Sequence, residues 1–259
     1  MDTIRIEYAA RTHKGRRENN EDAFGAEPAL GLYAVADGMG GYEGGEVASR
    51  LVIGAMTEFF RKNSDDREST WPFGMEPDRD FLENMLAVAV KTANREVIAR
   101  KKGPLAQMGS TVAAIAVRGA EVVVGHVGDS RVYRLRDGAL AQITRDHSFY
   151  EEMRAVRGGE IGPKSEFPYA NVITRAVGMP DAQPDLLRDA LRAGDTYLLC
   201  TDGLVEKVDE AMIAGVLASA APEEACRALV EAAYARGGRD NITAIVVRAS
   251  GPSGARGSA

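Results

Sequence analysis

Five short stretches of this 259-residue chain set a carboxylate at the edge of an apolar run, most of them beside glycine or asparagine: Glu21-Asp22, Asp37-Gly38, Gly128-Asp129-Ser130, Thr201-Asp202-Gly203 and Asp240-Asn241. Hard cations such as Mg²⁺ and Mn²⁺ take oxygen ligands, and strand ends that converge on one rim can offer several carboxylates without burying unpaired charge. A glycine after the aspartate lets the backbone approach closely enough for its carbonyl to join the ligand set. Any one Asp-Gly pair reads as a turn. Their number and their shared context point to a divalent-cation centre.

Such a centre needs elements that carry these residues to one place. The alternation Ile4, Ile6, Tyr8 predicts a half-buried strand, and residues 31–36 predict another that runs into Asp37-Gly38-Met39-Gly40-Gly41. Val47, Leu51, Ala55 and Phe59 recur with helical spacing and predict a helix over residues 43–62. Residues 63–79 read as a surface loop in which Trp71 and Phe73 are either core anchors or a partner surface, and a second helix is expected over 79–100. Short β-branched runs at 111–117, 122–127 and 131–135 predict an antiparallel meander. Residues 146–170 read as an excursion from the sheet with a short helix at 149–157. Strands at 172–176, 196–200 and 242–247 and a helix at 222–234 complete the pattern. Strands and helices without a repeat period predict one layered α+β domain over 1–249, and 250–259 read as a disordered tail.

The net charge of −6 and the lack of a long Lys/Arg run argue against nucleic acid as a partner. No stretch is long and apolar enough to cross a bilayer, and the first residues lack a secretory apolar segment, so a cytoplasmic protein, away from the membrane, is expected. Cys200 lies in the apolar run Tyr197-Leu198-Leu199-Cys200 and reads as a small core residue. A cysteine-phosphatase site needs an arginine six positions after its nucleophile, where this chain has Glu206 after Cys200 and Ala232 after Cys226. That chemistry is excluded.

In order along the chain stand Gly15-Arg16-Arg17-Glu18-Asn19-Asn20-Glu21-Asp22, Val35-Ala36-Asp37-Gly38-Met39-Gly40-Gly41, Gly109-Ser110-Thr111, Val127-Gly128-Asp129-Ser130-Arg131-Val132-Tyr133, Thr144-Arg145-Asp146-His147-Ser148, Leu199-Cys200-Thr201-Asp202-Gly203-Leu204 and Asp240-Asn241-Ile242-Thr243. With these motifs the chain resembles the PP2C, or PPM, family of metal-dependent serine/threonine protein phosphatases in its compact bacterial form. The resemblance implies a four-layer α-β-β-α sandwich, with two antiparallel sheets between helical layers. It implies two Mn²⁺ or Mg²⁺ ions and room for a weaker third. It implies that Asp37 bridges the two ions, that Asp202 and Asp240 complete the ligands of the first ion, and that the Gly38 carbonyl ligates the second. Glu21 and Asp22 contact that second ion directly or through water, Asp129 helps to hold the third, and Arg17 grips the substrate phosphate with its planar fork. Arg16 reads as solvated, and residues 146–170 resemble the family's flap.

Such a site hydrolyses phosphoserine and phosphothreonine in proteins by direct in-line attack of water shared by two cations, with no side-chain nucleophile. The resemblance further implies opposition to a serine/threonine kinase, in signalling or in control of a secretion or cell-wall system, and a monomer is expected. Eukaryotic relatives carry histidine where this chain has Met39, so the leaving-group acid is unassigned, with water bound at the cations as the candidate. His126 and His147 read as structural, and His13 lies close to Arg17 in sequence. The alternative from another class is a catalytically inactive binding module of the same fold, against which Asp37, Asp202 and Asp240 are all present. The Gly-Asp-x-His-Gly and Gly-Asn-His-Glu strings of the other metal-dependent serine/threonine phosphatase superfamily are absent, as is any calcium loop of Asp-x-Asp-x-Asp-Gly type.

Overall fold

The structure is a computed structural model that describes residues 4–41, 44–64, 71–159, 161–180 and 182–251. Residues 252–259, most of the expected tail, lie outside these, whereas Ser250 ends a strand. One sheet runs β1(Arg5–His13)–β11(Ile242–Ser250)–β10(Thr196–Cys200)–β7(Arg131–Arg136)–β8(Ala139–Gln142). The other runs β2(Asp22–Glu27)–β3(Leu32–Met39)–β5(Val112–Arg118)–β6(Glu121–Val127)–β9(Asp185–Ala190), with the short β4(Gly109–Ser110) beside β3. All strand pairings between these elements are antiparallel.

Period-two alternation decides what each sheet face touches. Tyr33, Val35, Ile115 and Val124 point between the sheets and meet Tyr197, Leu199, Ile245 and Val247 from the opposite side. The intervening Leu32, Ala34 and Ala36 pack instead under α1(Gly44–Asn63) and α2(Phe81–Arg100). On the far side Leu198, Cys200, Ala244 and Val246 pack under α4(Asp202–Val205), α5(Glu210–Ser219) and α6(Pro222–Ala235). The four layers are therefore those expected, and each of the three interfaces between them has its own apolar filling. Cys200 and Cys226 are buried free thiols, and burial pushes both up to about 12, so neither is a nucleophile.

Helix α2 begins at Phe81 because Asp80 caps it: its side chain accepts from the Glu83 amide at 2.8 Å while Glu83 accepts from the Asp80 amide at 3.0 Å. Trp71 is a core anchor, buried edge-on against Phe59 at 5.4 Å, while Phe73 is exposed under the Arg95 guanidinium. Strands β2, β8 and β9 and helices α4 and α5 were not foreseen. The expected strand at 172–176 does not form. Its backbone makes an isolated bridge between Ile173 and Ser148, and Thr174 N–H donates to the His147 carbonyl, tying down the segment that carries α3(Phe149–Val156). Among the described residues no helix is long and apolar enough to cross a membrane.

Candidate metal centre

The acidic residues gather at one end of the two sheets. Asp22 opens β2 directly opposite Asp37 near the end of β3, and paired positions on neighbouring strands share a face. The Asp37 main chain is held from both sides. Its N–H donates to Thr111 Oγ1 at 3.0 Å, and its carbonyl accepts from the Thr111 amide at 2.8 Å and from Ser110 Oγ at 2.9 Å. Thr111 Oγ1 also lies 2.7 Å from Ser130 Oγ, which links the Asp37 strand to the Asp129 turn. This is what Gly109-Ser110-Thr111 contributes.

Asp22 Oδ2 accepts from the hydroxyls of Thr201 at 2.9 Å and Thr243 at 2.6 Å, one from each of the two C-terminal motifs. Hydrogen bonds to a charged acceptor are worth roughly 1.5–3 kcal/mol each, enough to fix the carboxylate while leaving its second oxygen open. Asn241 joins the remaining pieces: its Oδ1 accepts from the Glu21 amide at 2.8 Å, and its Nδ2 donates to the carbonyls of Lys14 and Asn19 at 3.0 and 2.9 Å. Gly15 has φ +61° and lies on the Asp240 carbonyl, where a Cβ would stand 1.9 Å away, so only glycine lets the β1–β2 loop dock there.

A second close approach brings Glu21 to Gly38. A Cβ on Gly45, in the first turn of α1, would lie 2.7 Å from Glu21 Oε1 and 2.8 Å from the Gly38 carbonyl oxygen. Those two oxygens therefore converge on a spot kept clear by a missing side chain. Asp240 Oδ1 accepts from the Asn241 amide, and its Oδ2 accepts from the Arg17 guanidinium at 2.8 Å. Arg17, the expected phosphate clamp, is thus paired across the rim, and the charges of Glu21 and Asp37 also act on it. Among the described residues Arg16 makes no such pair.

Crowding buried carboxylates raises their proton affinity. Asp22 is pushed up to about 7 by burial, against the two threonine bonds and with the charges of Asp202 and Asp240 adding to the rise. Burial and the Asp202 charge hold Asp129 at about 7, and burial and the Asp240 charge hold Asp202 at about 6, a hydrogen bond with Asp37 pulling Asp202 the other way. Burial, with Asp22, Asp202, Asp129 and Asp240 around it, drives Asp37 well above the ordinary range, and burial raises Glu21. Asp22 Oδ1 and Asp202 Oδ1 are buried without a hydrogen-bond partner. Orphaned oxygens, mutual repulsion and an all-oxygen donor set fit hard divalent cations.

Beside the cluster opens a groove of about 730 Å³, lined by Asp129 and Asp202 at one end and by Lys164, Phe167, Tyr169 and Val172 of the excursion at the other. Arg131 forks onto both oxygens of Asp146 at 2.8 and 2.7 Å on its wall. His126, His147 and Asp185 also come together, close enough in distance to hold an ion. The hydrogen bonds argue otherwise. His147 Nδ1 accepts from the Gly128 amide at 3.0 Å, which places the proton of the neutral ring on Nε2, 3.3 Å from Asp185, whose other oxygen takes Arg175. His126 stacks on that ring at 4.4 Å and pairs with the Arg145 carbonyl. Burial, His126 and Arg175 hold His147 down at about 4, so the group braces Gly128 beneath Asp129 as a neutral network. His13 likewise accepts from the Gly15 amide and packs at a tilt against Tyr234.

The sequence reading missed the side chains that hold the acidic residues in place, namely Ser110, Thr111, Ser130, Thr201, Asn241 and Thr243. All six lie inside the motifs already singled out, so the signal was present and only the partners were hidden.

The sequence profile described as Protein phosphatase 2C matches residues 10–233. Serine/threonine protein phosphatase PstP of Mycobacterium tuberculosis is 39% identical over 249 residues, which cover 94% of this chain and 45% of that protein. The chain thus spans about half the length of that relative. Serine/threonine phosphatase stp of Listeria monocytogenes is 32% identical over 247 residues, covering 92% of this chain and 93% of that one. Among solved structures, the catalytic domain of PstP in complex with two manganese ions superposes with TM-score 0.81 at 39% identity, covering 96% of this chain and all of that one. PppA, a regulatory component of the T6SS in Pseudomonas aeruginosa, gives 0.77 at 32% identity, again over 96% of this chain.

Proposed function

The chain belongs to the protein phosphatase 2C family, and from that premise we propose that it is a metal-dependent protein phosphatase acting on phosphoserine and phosphothreonine. The observation that carries this reading is the convergence of the buried Asp22 and Asp129 with the half-buried Asp37 and Asp202, Asp22 and Asp202 each keeping one orphaned oxygen, beside the Glu21 and Gly38 oxygens facing Gly45. Asp37 would span two cations, Asp202 and Asp240 would complete one, and Glu21 with the Gly38 carbonyl would hold the other. Asp22 keeps one oxygen on its threonines and has Oδ1 left for a cation or its water. Asp129 would help to hold a third ion.

Two divalent cations, when bound, acidify water and draw charge from the phosphoryl oxygens. The chain itself supplies orientation and charge. Arg17 exchanges Asp240 for the substrate phosphate, and its fork contacts two oxygens as charge builds on them. The proton for the leaving alcohol comes from water in the groove, because Met39 has none to give and His126 and His147 are buried in bonds of their own. Known similarity to Mn²⁺-bound PstP supports manganese as one cation, with magnesium an alternative. Phosphoprotein substrates of a serine/threonine kinase, a cytoplasmic site of action and a monomer complete the proposal. Phosphate release from a phosphothreonine peptide, measured with Mn²⁺, Mg²⁺ or EDTA, tests it. Activity that needs the cation supports it, and a folded protein inert with either ion sinks it.

A further inference from the structure

Two loops meet over the Asp240 side of the centre, and they are strongly cationic in a chain whose net charge is −6. Residues 14–18 and 236–240 carry Lys14, Arg16, Arg17, Arg236 and Arg239 against Glu18 and Asp240. They are held face to face. Gly15 rests on the Asp240 carbonyl, Asn241 donates to Lys14 and Asn19, and the Arg17 amide closes a tight turn onto the Lys14 carbonyl at 3.2 Å. Arg17 is taken by Asp240, and Arg236 turns away to the Lys207 carbonyl at 3.1 Å and to Asp209. Lys14, Arg16 and Arg239 are exposed, and among the described residues none of these side chains has a carboxylate partner.

Three unpaired cations held on a braced scaffold, next in sequence to the proposed phosphate clamp and to a proposed metal ligand, form a recognition surface for anions. We infer that Lys14, Arg16 and Arg239 bind an acidic stretch of the substrate protein, carboxylates or a second phosphate close to the phosphoresidue being hydrolysed. This rests on the phosphatase reading and narrows its substrate class. The physical need is plain: an acidic peptide approaching a nest of carboxylates is repelled unless cations stand between, and clustered arginines are a common way to read phosphorylated or acidic segments. The opposite flank, the groove beside Asp129, is walled by Asp146 and Glu206 as well as by Arg131 and Lys164, so it offers no comparable excess of positive charge.

The test compares three phosphothreonine peptides, one with neutral flanks, one with glutamates, and one with a non-hydrolysable phosphonate beside the scissile residue. Each is turned over by the wild type and by a Lys14→Ala/Arg16→Ala/Arg239→Ala variant whose fold is checked by melting temperature. The wild type should prefer both anionic peptides by roughly tenfold in kcat/KM at low salt, through KM, and lose the preference at high salt. The variant should treat all three peptides alike while hydrolysing p-nitrophenyl phosphate at the wild-type rate. Equal use of the peptides by the wild type, or a preference that survives in the variant, overturns the inference. Preference for only one of the anionic peptides identifies which group the rim reads. Binding of labelled, unphosphorylated glutamate peptide in EDTA reads the rim without catalysis: affinity lost in the variant supports it even if the protein hydrolyses nothing, an outcome that defeats only the phosphatase reading. Tighter capture by anionic lipid vesicles than by any of the peptides reassigns the rim to a membrane surface.

Discussion

Replacing Asp129 with asparagine should stabilise the metal-free protein, and more so at higher pH. The Asp129 side chain is buried near Asp202 and Asp146, and its proton affinity rises from an ordinary value of 3.8 to about 7. A carboxyl whose folded-state pKa is raised binds more protons folded than unfolded. Its stabilising contribution is whole below about 3.8 and is lost progressively as pH climbs through about 7. At 1.36 kcal/mol per unit, the charged form costs roughly 4 kcal/mol at about pH 8 and roughly 2 kcal/mol at about pH 5.5. Asparagine has nearly the same shape and cannot ionise, so it escapes that cost. In EDTA, the Asp129→Asn variant should gain over the wild type roughly 2 kcal/mol more at the higher pH, a melting-temperature difference of about 4–8 °C for a domain of this size. Added Mn²⁺ should close the gap by stabilising the wild type, since the variant lacks one carboxylate for the ion. Thermal melts of both proteins at the two pH values check this. A gain that does not grow with pH, or a variant less stable than wild type at both, would show that the cluster is not electrostatically strained.

Three further outcomes follow from the braces. Gly45→Ala should weaken Mn²⁺ binding by roughly 10- to 100-fold in a calorimetric titration while the fold persists, because its methyl would stand between Glu21 and the Gly38 carbonyl. Thr243→Val removes the 2.6 Å bond to Asp22 and should lower cation affinity about tenfold, with turnover falling in step at subsaturating Mn²⁺. Trp71→Ala should cost about 3–5 kcal/mol in denaturant unfolding through the void left against Phe59, yet leave kcat unchanged where the protein is still folded.

The convergence of the candidate residues was more legible than the frame that brings them together. Asp37, Asp202 and Asp240 stand in strings dense enough to name from sequence, and the order of strings carried the four-layer fold with them. The pairing of Arg17 with Asp240 was not legible, because 222 residues separate them apart from their own positions and only the docking of Gly15 on residue 240 brings them together. Strand β2, Asp-Ala-Phe-Gly-Ala-Glu, holds small and acidic residues of low strand preference and exists because β3 supplies a partner along its whole length. Strand β9 is a half-polar edge, and α5 has only Ile213 and Leu217 fully buried, too few to announce a helical face. The reverse error at 172–176 has the same root: β-branched residues there find single bridges and the His147 carbonyl in place of a full ladder. Local preference marks candidate strands, and long-range pairing decides which of them form.

The most direct test of the central claim is a Mn²⁺ titration of the wild type and of Asp37→Asn in which bound ion and phosphate released from a phosphothreonine peptide are recorded on the same samples. The account predicts that turnover rises with ion bound in the wild type, disappears in EDTA, and is lost in a folded Asp37→Asn protein whose ion binding is weakened. Phosphate release by Asp37→Asn at the wild-type rate, or by the wild type in EDTA, would contradict it.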